Sequence, residues 1–455
     1  MNKHVDPAPD VTRRDFLRGG SVASLLSMLG AVELRAQDAK KDTIDSKKPN
    51  FSINVALIGL GNWGRELLAA LNRRTEAKVV AICDNYPAML RRSAPNAPNA
   101  KQVEDYKQIL ADKSVQAVIV ATPSHLHKQI VLDALAAGKH VYCEAPLAHT
   151  VEDARAIAAA AKANPRVLFQ SGLQTRSDPQ RLFLLQFVRS GACGRFATAR
   201  AQWHKKTSWR FPSGNPDREK AINWRLSKAT SPGLVGELGI HQIDATAWFL
   251  RARPTAVTGF GSLVHWTDGR DVPDTAQAVF EFPGGAQFNY SATLANSFDS
   301  DYDMIFGTDA AVMIRGQKAW MFKETDAPLL GWEVYARKDT FYRETGIALV
   351  MDATKLAAQG ETAAAEANFA ELPINFALES FLSNSNEVGG AVEDFNSTFN
   401  PKDLPALRKY LADLKLLPGA GWREGLEATV LALKANESVT TGKRIAFQPE
   451  WFDVA

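Results

Sequence analysis

The sequence is poor in cysteine: of 455 residues only Cys83, Cys143 and Cys193 carry a thiol. They are odd in number, far apart and without metal-ligand spacing, so they read as small apolar residues at strand ends and in a turn, and no metal is expected. Charge of one sign is scarce too. The formal net charge is +3, from 53 Lys and Arg against 50 Asp and Glu, and no basic tract is interleaved with aromatics, which argues against nucleic acid as a partner. No apolar run spans a bilayer stably. The nearest candidate, residues 19–34, is short and rich in glycine and serine. There is no internal repeat. What the chain does have is length for about two domains with substantial cores.

Before those domains comes a leader. Thr12-Arg13-Arg14-Asp15-Phe16-Leu17-Arg18 is a twin-arginine signature, followed by the apolar run and a small-residue exit near Ala36. A signal peptide is expected over residues 1–37, with the twin-arginine translocase as partner during export and a bacterial periplasm as destination. That route carries proteins already folded, with cofactor inside. Residues 38–51, charged and aperiodic, read as a linker.

Ile53-Asn54-Val55-Ala56-Leu57-Ile58 followed by Gly59-Leu60-Gly61-Asn62-Trp63-Gly64 reads as a buried strand running into a glycine-rich turn and then a helix. Gly59 permits the tight turn, Gly61 lets backbone approach a pyrophosphate, and Gly64 lets the helix pack on its strand. The helix N-terminus offers free N–H groups to phosphates. A second apolar run, 78–83, ends in Asp84, about twenty residues on, where an acid binds the adenosine ribose. A carboxylate there repels a 2′-phosphate, which favours NAD over NADP.

Strands and helices then alternate. The strand at 115–121 ends in Thr122-Pro123-Ser124-His125-Leu126-His127, the strand at 139–143 ends in Glu144-Ala145-Pro146, and the last strand covers 166–170. Such alternation means an α/β fold with a doubly wound parallel sheet over 52–172 and ligands at the strands' carboxyl ends. From about Phe196 the pattern changes. A strand at 197–203 and a polar loop through Trp209 and Trp224 precede a helix at 233–250, capped by Ser231-Pro232. Glu237, His241, Asp244 and Trp248 fall at spacings that put them on one face of that helix. Short alternating segments follow, reading as a mostly antiparallel open sheet in a second α/β domain, 173–455. Helices are expected near 359–371, 376–382, 404–415 and 425–437, the C-terminal helices returning towards the first domain.

Together, Gly59 to Gly64, Asp84, Ala121-Thr122-Pro123 with His127, Ala137-Gly138-Lys139-His140-Val141, Glu144-x-Pro146 and Gly239-x-His241-x-x-Asp244 closely resemble the Gfo/Idh/MocA family of glucose-fructose oxidoreductase, inositol dehydrogenase and MocA. The resemblance runs from about residue 52 to the end. It implies a Rossmann domain holding NAD, a second domain whose open sheet faces the cofactor and often forms dimer contacts, so a homo-oligomer, and a sugar or polyol substrate. By position it implies that Thr122, Pro123 and His127 line the nicotinamide end, that Glu144, with Ala145 beside it, touches the nicotinamide ribose, and that His241 is the catalytic histidine. Two residues depart from the pattern. The usual Glu-Lys-Pro is Glu144-Ala145-Pro146, so a lysine that commonly assists proton transfer is missing, and the acid four residues before the histidine is Glu237 rather than aspartate.

Moving a hydride from a carbinol carbon to NAD needs a base for the hydroxyl proton, and histidine suits that near neutral pH. His241 is the candidate, with Glu237 one turn earlier to orient it and Asp244 to hold the ring or a sugar hydroxyl. Gln174, Arg176, Trp203, His204, Trp224 and Arg225 sit where they could contact a sugar. Three readings stay open: a sugar oxidoreductase with tightly held NAD, a redox-neutral NAD-dependent glycosidase or lyase, favoured by Ala145 and by export, and a non-catalytic nucleotide- or sugar-binding protein.

Overall fold

The computed structural model describes residues 51–330, 333, 338–341, 344–349 and 372–454. The leader, the linker up to residue 50 and the helix expected at 359–371 lie outside the described residues.

The chain runs through β1 (Ile53–Ile58), α1 (Asn62–Leu71), β2 (Ala77–Cys83), α2 (Pro87–Ser93), β3 (Lys101–Val103), α3 (Tyr106–Ala111), β4 (Ala117–Val120), α4 (His127–Ala136), β5 (His140–Cys143), α5 (Val151–Ala163) and β6 (Phe169–Ser171). These strands form one six-stranded sheet in the order β3-β2-β1-β4-β5-β6, every pair parallel. All four residues of β4 and of β5 are buried. That explains why they are unbroken apolar runs rather than alternating ones: helices cover both faces of a parallel sheet. The order reverses between β1 and β4, and the crevice at the carboxyl ends there is where such sheets bind dinucleotides.

The second half contributes α6 (Pro179–Arg189), β7 (Phe196–His204), α7 (Pro216–Ile222), α8 (Ile240–Leu250), β8 (Ala256–Ser262), β9 (Thr275–Glu281), β10 (Gln287–Thr293), β11 (Asp301–Gly307), β12 (Ala310–Arg315), β13 (Lys318–Lys323), β14 (Lys338–Phe341) and β15 (Glu344–Ala348). It closes with α9 (Pro373–Thr398), α10 (Leu404–Ala412), α11 (Trp422–Thr441) and β16 (Ile445–Ala446). The ten-stranded sheet is antiparallel except where β10 runs parallel to β7. The three cysteines are free and buried, and among the described residues no group of His, Cys, Asp or Glu could hold a metal. No described helix is long and apolar enough to cross a membrane.

Two C-terminal helices bind the halves together. α11 places Leu426 and Val430 in the core under α5, and Ala428, Leu431, Ala432, Ala435 and Val439 in the core of the second sheet. It is a wedge with an apolar stripe for each domain. α9 lays Ile374, Ala377, Leu378, Phe381 and Leu382 on the other face of the first sheet, with Phe381 edge-on to Tyr142 at 5.6 Å.

The structure extends one expected helix and widens a turn of another. The one expected at 376–382 is 26 residues long. It continues through a polar, glycine-containing stretch because Asn384 trades two hydrogen bonds with Leu417 and because Val388, Val392 and Phe395 pack on Leu407. Tertiary partners override weak local propensity there. The helix expected at 233–250 is present throughout and carries one π-turn, Val235–Gly239, just before α8. Single π-turns of this kind recur at functional sites because they re-aim side chains.

Candidate active site

The glycine turn has the shape its sequence implies. Gly59 has φ +98°, and a Cβ there would lie 2.6 Å from the Ala121 carbonyl oxygen, while one on Gly64 would run into the Gly59 carbonyl oxygen. Gly61 instead opens onto free space. That is the approach a pyrophosphate needs, and α1 begins there with no side-chain cap and no acid in its first turn. Asp84 Oδ2 accepts from the Leu60 N–H and Oδ1 from the Tyr86 N–H, each at 2.9 Å. This fixes the carboxylate beside the turn with lone pairs left for ribose hydroxyls. Replacing Asp84 by Ala is expected to weaken NAD binding roughly tenfold or more, through lost charge-assisted hydrogen bonds and a loosened turn. Titration of nicotinamide-cofactor fluorescence checks it, and wild-type affinity would move the ribose contact elsewhere.

Three buried oxygens at the strand ends have no hydrogen-bond partner: Thr122 Oγ1 after β4, Glu144 Oε1 after β5 and Ser171 Oγ closing β6. Orphaned acceptors in a crevice otherwise built of satisfied backbone fit a ligand that supplies hydroxyl or amide donors. Burial pushes the Glu144 carboxyl up to about 7, partly offset by hydrogen bonds from the Trp63 side chain and the Ala145 backbone. Trp63 thereby links the glycine turn to the end of β5. The Ala145–Pro146 peptide is cis.

His127 does a different job from the one its position suggests. It is 1% exposed, with Nε2 2.8 Å from the Thr122 carbonyl and Nδ1 3.1 Å from that of Pro146. Burial holds its pKa down, so the neutral ring has one N–H and donates to one of these two carbonyls, packed between the β4 and β5 loops.

Across the seam, the acids expected to flank His241 are engaged elsewhere. Glu237, in the π-turn, accepts from Ser124 Oγ at 2.9 Å and from Arg225 Nε at 3.3 Å, and burial raises its pKa despite the guanidinium. Asp244 is gripped by Arg176 through Nε at 2.9 Å and Nη2 at 2.8 Å, with Arg176 also 5.1 Å over Trp248. Neither carboxylate bonds the imidazole, which departs from the reading from helical spacing, because each is taken by a side chain from another element. The result is mechanically useful. Ser124 follows β4 and Arg176 follows β6, so two polar ties hold the start of α8 over the carboxyl ends of the first sheet.

His241 itself is half-buried, and its ring makes no hydrogen bond to a described residue. Burial pushes its pKa down from 6.5 to about 4. The ring is therefore neutral at pH 7, with one nitrogen carrying a lone pair able to accept a proton.

A cleft of about 260 Å³ opens between the domains, and its lining joins Asn62 of the glycine turn to Trp203, Lys205, Trp209, Phe211 and Arg225. Trp224 stacks on Arg225 at 4.6 Å and lies 6.0 Å from the His125 ring. Trp209 is held at φ +61°, a conformation costing about 1 kcal/mol or more for a bulky residue and commonest at ligand sites. His204 does not belong here. Strand alternation turns it to the face opposite Trp203, where Nε2 meets Ser291 Oγ at 3.1 Å. Gln174 is half-buried in the turn that carries Arg176. Lys205, Trp209 and Phe211 were not expected, yet with Trp203 and Thr207 they occupy every second position from 203 to 211 in the lining of the cleft.

Residues 53–171 match the family described as GFO_IDH_MocA, oxidoreductase family with NAD-binding Rossmann fold, and residues 183–321 match the GFO/IDH/MocA C-terminal domain. The chain belongs to the Gfo/Idh/MocA family. A 2,7-anhydro-N-acetylneuraminate hydratase of Escherichia coli K12 is 26% identical over 271 residues, 58% of this chain and 68% of that one. A levoglucosan dehydrogenase of Pseudarthrobacter phenanthrenivorans is 24% identical over 300 residues, 59% and 74% respectively. The fold matches a levoglucosan dehydrogenase solved with NADH, TM-score 0.63 at 19% identity, over 87% of this chain and 99% of that one. The protein is thus an NAD-dependent enzyme of this oxidoreductase family, with an NAD-binding Rossmann domain.

Proposed function

We propose that the protein exchanges a hydride between NAD and a sugar, polyol or glycoside bound in the cleft, with His241 as general base. The observation that carries this reading is the unpartnered, neutral imidazole on a helix tied by Glu237 to Ser124, at the strand ends where a nicotinamide belongs. Bound NAD supplies the hydride acceptor. His241 takes the hydroxyl proton as the carbinol becomes a carbonyl. Asp244, neutralised by Arg176, and Glu237, facing Ser124 and Arg225, keep α8 in place instead of competing for that proton. The indoles of Trp203 and Trp209 offer apolar faces to a sugar ring.

A second reading has specific support. Ala145 stands where the family pattern has lysine, and one relative is named a hydratase, so a cycle without net redox change fits: oxidation to a keto sugar acidifies the neighbouring C–H, loss of that proton expels the aglycone, water adds, and the hydride returns to the sugar. Export through Arg13-Arg14 to a periplasm, also proposed, supports the same cycle because a cofactor carried inside would be regenerated in place. One preparation separates these readings. Protein recovered from the periplasmic fraction, with its NAD measured, is incubated with aryl glycosides. Steady NADH formation on added NAD supports net oxidation, and aglycone release without NADH supports the cycle. Protein confined to the cytosol overturns export, and silence on sugars, polyols and glycosides overturns the hydride-transfer reading.

A further inference from the structure

The cleft is charged in one direction. Its lining holds two cations, Lys205 and Arg225, and no carboxylate. Lys205 is exposed, and its ammonium pairs with no described residue. Arg225 is better placed. Its guanidinium lies 4.6 Å from the Trp224 ring centre and 5.8 Å from that of Trp209, and its one acceptor among the described residues is Glu237 Oε2, at 3.3 Å from Nε. The two terminal nitrogens have no acceptor among the described residues, although the side chain is 43% exposed. Stacking on one side and a buried carboxylate behind fix the plane of the group, so the free edge is pre-organised as a two-pronged donor. That shape matches a pair of anionic oxygens and is poorly used by a single sugar hydroxyl. Trp203, Trp209 and Phe211 supply apolar surface beside it, as a pyranose face requires.

Resting on the reading that a carbohydrate occupies this cleft, we infer that the substrate is an acidic sugar whose carboxylate is held by the free edge of Arg225, with Lys205 adding positive potential at the entrance. The same chemistry could be offered by the pyrophosphate of NAD, since Asn62 shares the lining, and the experiment separates the two sources. Calorimetry on the full NAD-loaded chain compares D-glucuronate and D-galacturonate with D-glucose and D-galactose, while NAD retention is followed in parallel. An acid is expected to bind at least about tenfold more tightly than its neutral counterpart. Arg225→Gln should lower acid affinity about 100-fold, the scale of lost hydrogen bonds to a charged group, with NAD retention unchanged.

Arg225→Lys keeps the charge that pairs with Glu237 and loses only the fork, so it tests the same point if Arg225→Gln fails to fold, and it should fall between the other two. Lys205→Gln, at an exposed position, should reduce the salt dependence of acid binding without abolishing it. Equal affinity for acids and neutral sugars overturns this inference and leaves the carbohydrate reading standing. Loss of NAD retention in Arg225→Gln with sugar preference intact also overturns it and assigns the guanidinium to the pyrophosphate. Failure of every acid and neutral sugar to bind removes the carbohydrate reading along with it.

Discussion

His241→Ala is expected to lower turnover by a factor of about 10² to 10⁴, the usual contribution of a positioned general base, while NAD affinity stays within about twofold. The separation follows from geometry. The groups proposed to hold the cofactor sit on the glycine turn and at the ends of β2, β4 and β5, whereas His241 comes from α8 and bonds to none of them. Steady-state kinetics with parallel cofactor titration reads both quantities, and turnover within threefold of wild type would mean another group takes the proton. The acid limb of the pH profile offers an independent reading. Only the neutral ring accepts a proton, and burial moves its pKa from 6.5 to about 4. With cofactor saturating, the base should therefore remain competent down through pH 6 and be lost as pH falls through the lowered value. A His241-dependent limb at 6.5 would show that the ring stands in water instead of in the seam.

Arg176→Met is expected to destabilise the protein by about 3 to 5 kcal/mol, because it leaves the Asp244 carboxylate buried without its partner. Asp244 is only 2% exposed, and its side chain is gripped from both oxygens. The pair joins the turn after β6 to α8, so the loss should also appear in kcat, as the imidazole loses its register with the cofactor. Denaturant midpoints of the NAD-loaded protein measure the first effect. The double variant Arg176→Met with Asp244→Leu should recover most of the stability, since two apolar groups replace an ion pair at little net cost. A single-variant cost below about 1 kcal/mol would mean that solvent reaches the pair and that it does not pin the helix.

These expectations differ in how far the sequence could supply them. The backbone shape of the Gly59 to Gly64 turn and the position of Asp84 beside it were legible because each is local, set within a few residues of chain. The first sheet's direction and layering were legible for the same reason. His127, His204 and the acids around His241 were not. His127 matches a ligand position by spacing, but its ring is buried between the Thr122 and Pro146 carbonyls, from loops that meet only after β4 and β5 pair. His204 sits one residue from Trp203, and the pleat alone sends it to the other face. Glu237 follows helical spacing in the sequence, and Ser124 and Arg225 take its carboxylate.

By itself, then, the sequence determined the nucleotide-binding half, the change of architecture after it and the identity of the candidate base, because strand and helix periods and glycine chemistry act over short distances. Only the tertiary structure decided what each polar side chain does. Glu237 joins Ser124 across 113 residues of chain and Arg176 meets Asp244 across 68. A buried charge takes whatever partner the packed domains bring within about 3 Å, and no local pattern encodes that partner.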